Sequence, residues 1–288
     1  MGLGCMALTG IYGAIEADVA KATIHRALDL GIRLFDTAAL YGDGANEELL
    51  GRTLGGRGDV FVVTKFGLEV QGDSLVRDSA PAAMRRSVDT SLRRLRRDRI
   101  DLLLQHRPDP LVPDEEVAAM ARDLVQAGKV AEFGLSGTPV DRIGRFTGTV
   151  RVAAVQNELS IAAPDRAGDA AAADRFGAML MGHSPLGRGL LTGRAGRPPA
   201  ADDLRSGMPQ FRDAPSDLDA NCLNALEEIA ASRALPMEAI ALAWTLHLGG
   251  NVVPIPGSRS PQQVERIASS AEVALTPEEV GRLAGDGD

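Results

Sequence analysis

Six places along the 288-residue chain put a polar side chain directly after a short apolar run: Asp36, Lys65, His106, Ser136, the pair Gln156-Asn157, and His183. Loops often begin with a polar residue, so one such position means little. An acid, a lysine and a histidine at the ends of three successive apolar runs is a different matter. Lysine is scarce here, present only at 21, 65 and 129, so a surface cation in this chain is by default an arginine and Lys65 stands out. Tyr41, one of two tyrosines, follows Asp36 by five residues. A free phenol titrates near pH ~10 and is a poor acid at neutral pH. An adjacent ammonium stabilises the phenolate and lowers that value. Asp36 can hold Lys65 by an ion pair, and His106 can orient or polarise a carbonyl oxygen. Together these four make a proton donor for a reacting carbonyl. They do not make a nucleophile and its base: the chain has no Gly-x-Ser-x-Gly elbow. Cys5 and Cys222 form neither a disulfide framework nor a metal-ligand spacing, so no metal is expected.

The elements that must position these side chains follow one rhythm. Apolar runs at 1–5, 33–35, 59–64, 100–105, 131–135, 152–155, 178–181 and 251–255 read as strands. Helical periodicity covers 17–30, 46–54, 80–97, 114–127, about 166–176, 217–233, 236–248 and about 260–270, with a short last helix from Pro277. Residues 187–215, rich in Gly, Pro, Arg and Asp, read as a long loop. Eight strands, each followed by a helix, predict a parallel sheet covered on its outer face, and a (β/α)₈ barrel over residues 1–288 as one domain. No G-x-G-x-x-G follows the first strand, which argues against a doubly wound dinucleotide fold. In a barrel of this kind the strand-end side chains gather at the C-terminal rim, where barrel enzymes work.

Composition narrows the function. Apolar residues make up 44% and charged residues 24%, the balance of a folded chain, and no apolar run reaches the roughly 18 residues of a membrane span. A net charge of −8 disfavours nucleic acid. The basic stretch Arg93 to Arg99 reads as a helix end, where cations complement the dipole. The start lacks the features of a signal peptide, and two cysteines fit a reducing cytoplasm, the expected compartment.

On seven stretches taken in order, the chain resembles the aldo-keto reductase superfamily over nearly its full length. They are Phe35-Asp36-Thr37-Ala38 with Tyr41-Gly42, Thr64-Lys65-Phe66-Gly67, Asp101 to His106, Ala127-Gly128-Lys129-Val130, Val155-Gln156-Asn157, Ser184 to Gly189, and Ile255-Pro256-Gly257-Ser258. The run Gln105-His106-Arg107-Pro108-Asp109-Pro110 is most similar to the microbial and plant branch near the voltage-channel β-subunit relatives.

The resemblance implies reduction of an aldehyde or ketone with hydride from NADP(H), NAD(H) being the alternative. It implies Tyr41 as general acid, Lys65 as the partner that lowers its pKa, Asp36 as the anchor of Lys65, and His106 as the carbonyl-orienting group. It puts Ser136 and Gln156 on the nicotinamide carboxamide, His183 where a tyrosine usually stacks on the ring, and Ser184, Leu186, Gly187 and Arg188 over the pyrophosphate. Gly257, Ser258, Arg259 and Gln263 fall at the adenosine end, with the Arg259 fork suited to a 2′-phosphate. Tyr12 falls where the family has an aromatic pocket wall.

The chain departs from the family pattern at Gly137, usually Asn, and at Arg266-Ile267, often Glu-Asn. The resemblance is expected not to extend to a barrel-bottom hairpin before Gly2 or to a covering tail after Asp288. The expected partner is a small carbonyl substrate, with no nucleic acid and no membrane, the oligomeric state being left open. The alternative function is a cofactor-binding regulatory module like the channel β-subunits.

Overall fold

Eight parallel strands lie side by side in chain order in the computed structural model, which describes residues 1–72, 74–163, 168–193, 199–208, 211 and 220–285. They are β1 (Leu3–Gly4), β2 (Leu34–Asp36), β3 (Phe61–Phe66), β6 (Ile100–Gln105), β7 (Val130–Ser136), β8 (Val152–Glu158), β9 (Met179–His183) and β10 (Val252–Ile255). Gly2 N donates to Pro254 O and Gly4 N to Pro256 O, both at 2.9 Å, drawing the last strand against the first and nearly closing a (β/α)₈ barrel. The helices are α1 (Ala17–Asp29), α2 (Ala45–Leu54), α3 (Pro81–Leu95), α4 (Asp114–Gln126), α5 (Gly168–Asp174), α6 (Ala220–Arg233), α7 (Met237–His247), α8 (Pro261–Ser269) and α9 (Pro277–Ala284).

Strand side chains alternate between the two faces. The outward set, including Phe35, Val62, Leu103, Phe133 and Val155, packs against the helices. The inward set forms a smaller core of Val63, Leu102, Leu104, Ala154, Met181 and Ile255. One step further along each strand, the inward parity delivers Asp36, Lys65, His106, Ser136, Gln156 and His183 to the same rim. The barrel interior is thus apolar below and polar at its C-terminal mouth.

Local sequence accounts for most helix ends. Pro81 occupies the first turn of α3, and Arg96 closes it in the left-handed conformation (φ 55°). Two arginines of the basic run at its end are held by carboxylates: Arg97 pairs with Asp101, and Arg94 reaches buried Glu47 at 3.5 Å. Thr276 and Glu279 form a capping box at α9. Among the described residues, no helix is long and apolar enough to cross a membrane.

Two features differ from expectation. The chain between Lys65 and α3, to which the periodicity assigns no element, forms an antiparallel hairpin of β4 (Leu68–Gln71) and β5 (Ser74–Arg77) over the rim. Its alternation is short, and Val70 and Leu75 are exposed, so it lacks the buried face that makes a strand legible. The second difference is after β7, where the expected helix is replaced by a 3₁₀ stretch, Val140–Arg145. Pro139 and glycines at 137, 144 and 148 deny that short connection an uninterrupted helical run. The starts of the helices expected at 166 and 217 lie outside the described residues, as does much of 187–215. Its described parts include 3₁₀ turns at Gly187–Thr192 and Leu204–Gly207.

Candidate active site

Lys65 and Asp36 meet at the centre of the rim, buried, with Nζ 2.7 Å from Asp36 Oδ2. Both come from strand ends of inward parity, β3 and β2, which pair directly. Lys65 Nζ also donates to Thr37 O at 2.8 Å and lies 3.4 Å from the Tyr41 hydroxyl. Burial opposes the charge on Lys65, but the Asp36 carboxylate and the Tyr41 oxygen outweigh it and raise the ammonium pKa. An isolated ammonium would not stay charged in such a place.

Tyr41 is carried by the loop between β2 and α2. The first turn of α2 fixes that loop: Asn46 accepts from Thr37 Oγ1 at 2.6 Å and donates to Cys5 O at 2.8 Å. Thr64 donates to buried Glu47 at 2.6 Å. The expected lowering of the Tyr41 pKa is overridden. Burial raises the phenol above its ordinary value, and the charge and hydrogen bond of Lys65 only pull it part of the way back. The hydroxyl therefore keeps its proton at neutral pH.

His106 follows β6 and meets the Tyr41 ring edge-on, centroids 5.9 Å apart. Burial first, then the charges of Lys65, Arg107 and His183, push its pKa down to about 2. It is a neutral imidazole, and its Nδ1 is buried with no protein partner. Beside it, Gln156 Nε2 donates to Asp36 Oδ1 at 2.7 Å, so both oxygens of that carboxylate are held.

Asp36, Tyr41, His106 and Gln156 open into a cavity of about 730 Å³, with Lys65 buried behind them. Of the other expected positions, Ser136, His183, Ser184, Leu186, Arg188, Gly257, Ser258, Arg259 and Gln263 all line it. Gly187 does not; buried and in the left-handed region (φ 55°), it turns the chain so that Arg188 and Gly189 face the cavity instead. Tyr12 is in the wall, with the Arg205 guanidinium 5.0 Å from its ring centre. Arg188 is paired with Glu158 at 3.1 Å. Gln263 accepts from the Arg259 backbone N–H at 2.7 Å, folding the start of α8 onto that loop. The Arg259 guanidinium donates to the carbonyls of Tyr12, Gly13 and Ala14, while its Nε is buried without a partner among the described residues.

Residue types alone did not flag Arg107 or Arg205. The signal for Arg107 lay next door: Gly137, in the left-handed region (φ 59°), where an added Cβ would lie 2.4 Å from Arg107 Nη1. A side chain there and the arginine cannot both be accommodated in this arrangement.

The arrangement couples one buried ion pair, one phenol and one neutral imidazole around a sheltered space, with arginines along the remainder. Among the described residues, no group of three or more His, Cys, Asp or Glu could hold a metal ion. The sequence profile of the Aldo/keto reductase family matches residues 1–285. The chain belongs to the aldo/keto reductase family. A relative in Schizosaccharomyces pombe, aldo-keto reductase yakc (NADP(+)), is 32% identical over 288 residues, covering 96% of this chain and 84% of that protein. The glycerol dehydrogenase AKR11B4 of Gluconobacter oxydans is similar in structure, with a TM-score of 0.88 and 34% identity over 99% of this chain and 90% of its own. The aldo-keto reductase AKR11C1 of Bacillus halodurans, in its holo form, matches at a TM-score of 0.77 and 26% identity, covering 98% and 90% of the two chains.

Proposed function

We propose that this family member reduces the carbonyl of a small aldehyde or ketone with NADPH, Tyr41 supplying the proton. The observation that carries the reading is the buried contact of the Tyr41 hydroxyl with Lys65 Nζ at 3.4 Å, opening into the cavity. A structural ion pair needs no phenol at its mouth.

The donor set of the cavity fits a nicotinamide dinucleotide. Gln156 spends Nε2 on Asp36, which leaves its Oε1 to accept from an amide, and Ser136 stands beside it. Arg188, Arg205, Arg259 and Arg266 line the cavity and suit phosphates. When bound, the reduced nicotinamide supplies a hydride to the carbonyl carbon. Negative charge then builds on the carbonyl oxygen, and Tyr41 transfers its hydroxyl proton there. The phenolate left behind faces the Lys65 ammonium, itself anchored by Asp36. Neutral His106 has one N–H to offer and can hold the carbonyl oxygen without adding a charge. Solvent returns the proton to Tyr41.

Oxidation of NADPH and NADH by the purified protein, followed with a panel of aromatic, aliphatic and sugar aldehydes, tests the reading. Carbonyl-dependent consumption of NADPH is expected, and its absence with every aldehyde overturns it. The choice of nucleotide rests on Arg259. Arg259→Ala is expected to weaken NADPH more than NADH by roughly 10- to 100-fold, the worth of a charge-assisted phosphate contact of about 1.5–3 kcal/mol. Loss of its hold on the Tyr12–Ala14 carbonyls acts on both nucleotides alike, so the ratio of the two affinities is the quantity to measure. Equal losses would remove Arg259 from phosphate selection.

A further inference from the structure

Six arginines line the cavity of this acidic protein, and four of them are already engaged. Arg188 is paired with Glu158, Arg205 with Asp203 and Arg266 with Glu238. Arg259 is bound to three backbone carbonyls. Arg107 and Arg77 are not neutralised in this way. Among the described residues, no carboxylate lies within ion-pair distance of either guanidinium.

Arg107 is held in place by one nitrogen only. Its Nη1 donates to His106 O at 2.8 Å and to Ser136 Oγ at 3.3 Å, and the side chain packs across the bare backbone of Gly137. Nε and Nη2 have no partner among the described residues, and neither is a sealed orphan. That Nε–Nη2 edge is the one a guanidinium presents to two oxygens at once. Arg77, at the end of the rim hairpin, contributes a second guanidinium, fixed among the described residues only by Pro108 O at 3.2 Å. Arg107 follows His106 directly in the chain. Its charge, together with that of Lys65, counters the burial that raises the Tyr41 phenol, so it stands within electrostatic reach of the proton donor. Carboxylates near the cavity do not compete: Glu158 is committed to Arg188 and Asp36 to Lys65 and Gln156.

We propose that the substrate is a small carbonyl compound carrying an anionic oxyacid group, and that Arg107, assisted by Arg77, binds that group beside the reacting carbonyl. The inference rests on the carbonyl-reductase reading of the same site and adds the substrate class. A carboxylate or a phosphate could present the required pair of oxygens, and the experiment separates them.

The test uses matched pairs on the cofactor-loaded enzyme: succinic semialdehyde against butanal, and glyceraldehyde 3-phosphate against glyceraldehyde. The wild type is expected to favour the anionic member of at least one pair in kcat/KM. Arg107→Met is expected to cut that preference by roughly 10- to 100-fold, and Arg107→Lys to restore part of it. The preference is a ratio, so any loss common to both members cancels. The pair that responds names the anion. A wild type that favours the neutral member of both pairs overturns the proposal, as does a preference unchanged by Arg107→Met. Where none of the four compounds is reduced, the wider aldehyde panel decides the reductase reading, and binding decides the present one. Titration calorimetry with succinate, which has the carboxylate but no reducible carbonyl, and with inorganic phosphate measures the anion site directly. Binding of either anion weakened at least about 10-fold by Arg107→Met supports the site. Binding unchanged by the substitution, or absent for both anions, removes it.

Discussion

Turnover of a good aldehyde by Tyr41→Phe is expected to fall by about 10²- to 10⁴-fold, the usual worth of a positioned general acid. The substitution removes one oxygen and leaves the ring. The edge-on contact with His106, centroids 5.9 Å apart, and the Lys65 ammonium 5.0 Å from the ring centre need only the ring. Fold and cofactor affinity should therefore survive, and the loss should appear in kcat, because the missing proton is needed mainly in the transition state. The pH profile reads the same proton. Burial raises the phenol despite Lys65, so reduction should stay level through neutral pH and decline only on the alkaline side, above the ordinary phenol value of about 10. His106, pushed down to about 2 by burial and its cationic neighbours, adds no inflection near the usual imidazole value of about 6.5. Tyr41→Phe should lose the alkaline decline with the activity. Near wild-type turnover in this variant would remove Tyr41 as the acid.

Strand parity explains how much of this site could be read from residue types. Val63 and Lys65, Leu104 and His106, and Leu34 and Asp36 are each two apart on one strand or its direct continuation. A side chain two residues beyond an inward apolar one must face the same interior, so the rim was legible wherever an apolar run ended in a polar residue. What parity cannot supply is a contact between residues from different loops. Arg107 has the opposite parity to His106 and reaches the cavity only by folding over Gly137, whose missing side chain makes the room. The bond from Gln156 Nε2 to Asp36, a partner 120 residues away in the chain, is another contact of this kind. The Tyr41 shift has the opposite sign to the one a neighbouring lysine alone would give, for a related reason. Spacing brings a lysine to a tyrosine but does not say how deeply the pair is buried, and here burial is the larger effect. The β4–β5 hairpin, with its two exposed apolar side chains, carried no periodicity strong enough to declare itself.

Lys65→Met is expected to lower turnover by a factor comparable to Tyr41→Phe while also costing stability. The catalytic loss follows from what the ammonium faces: once the proton has left, the phenolate 3.4 Å away has lost its nearest positive charge. The stability loss follows from Asp36, left buried with only the Gln156 amide on its other oxygen. Removing one member of a buried pair typically costs about 3–5 kcal/mol, which thermal or denaturant unfolding would register. Because the native environment raises the Lys65 pKa, its contribution is fully present below the unfolded lysine value of about 10.4 and fades only as pH rises through the native one. The stability gap between wild type and variant should thus hold across neutral pH and close in alkali. Adding Asp36→Asn removes the stranded carboxylate and should recover much of the stability without recovering turnover, which separates folding from chemistry. The decisive comparison is Tyr41→Phe with Lys65→Met in one chain. If Lys65 acts through the phenol, the second substitution finds little left to remove, and the combined loss falls far short of the product of the single losses. Losses that multiply would mean that Lys65 assists the reaction by a route that does not pass through Tyr41.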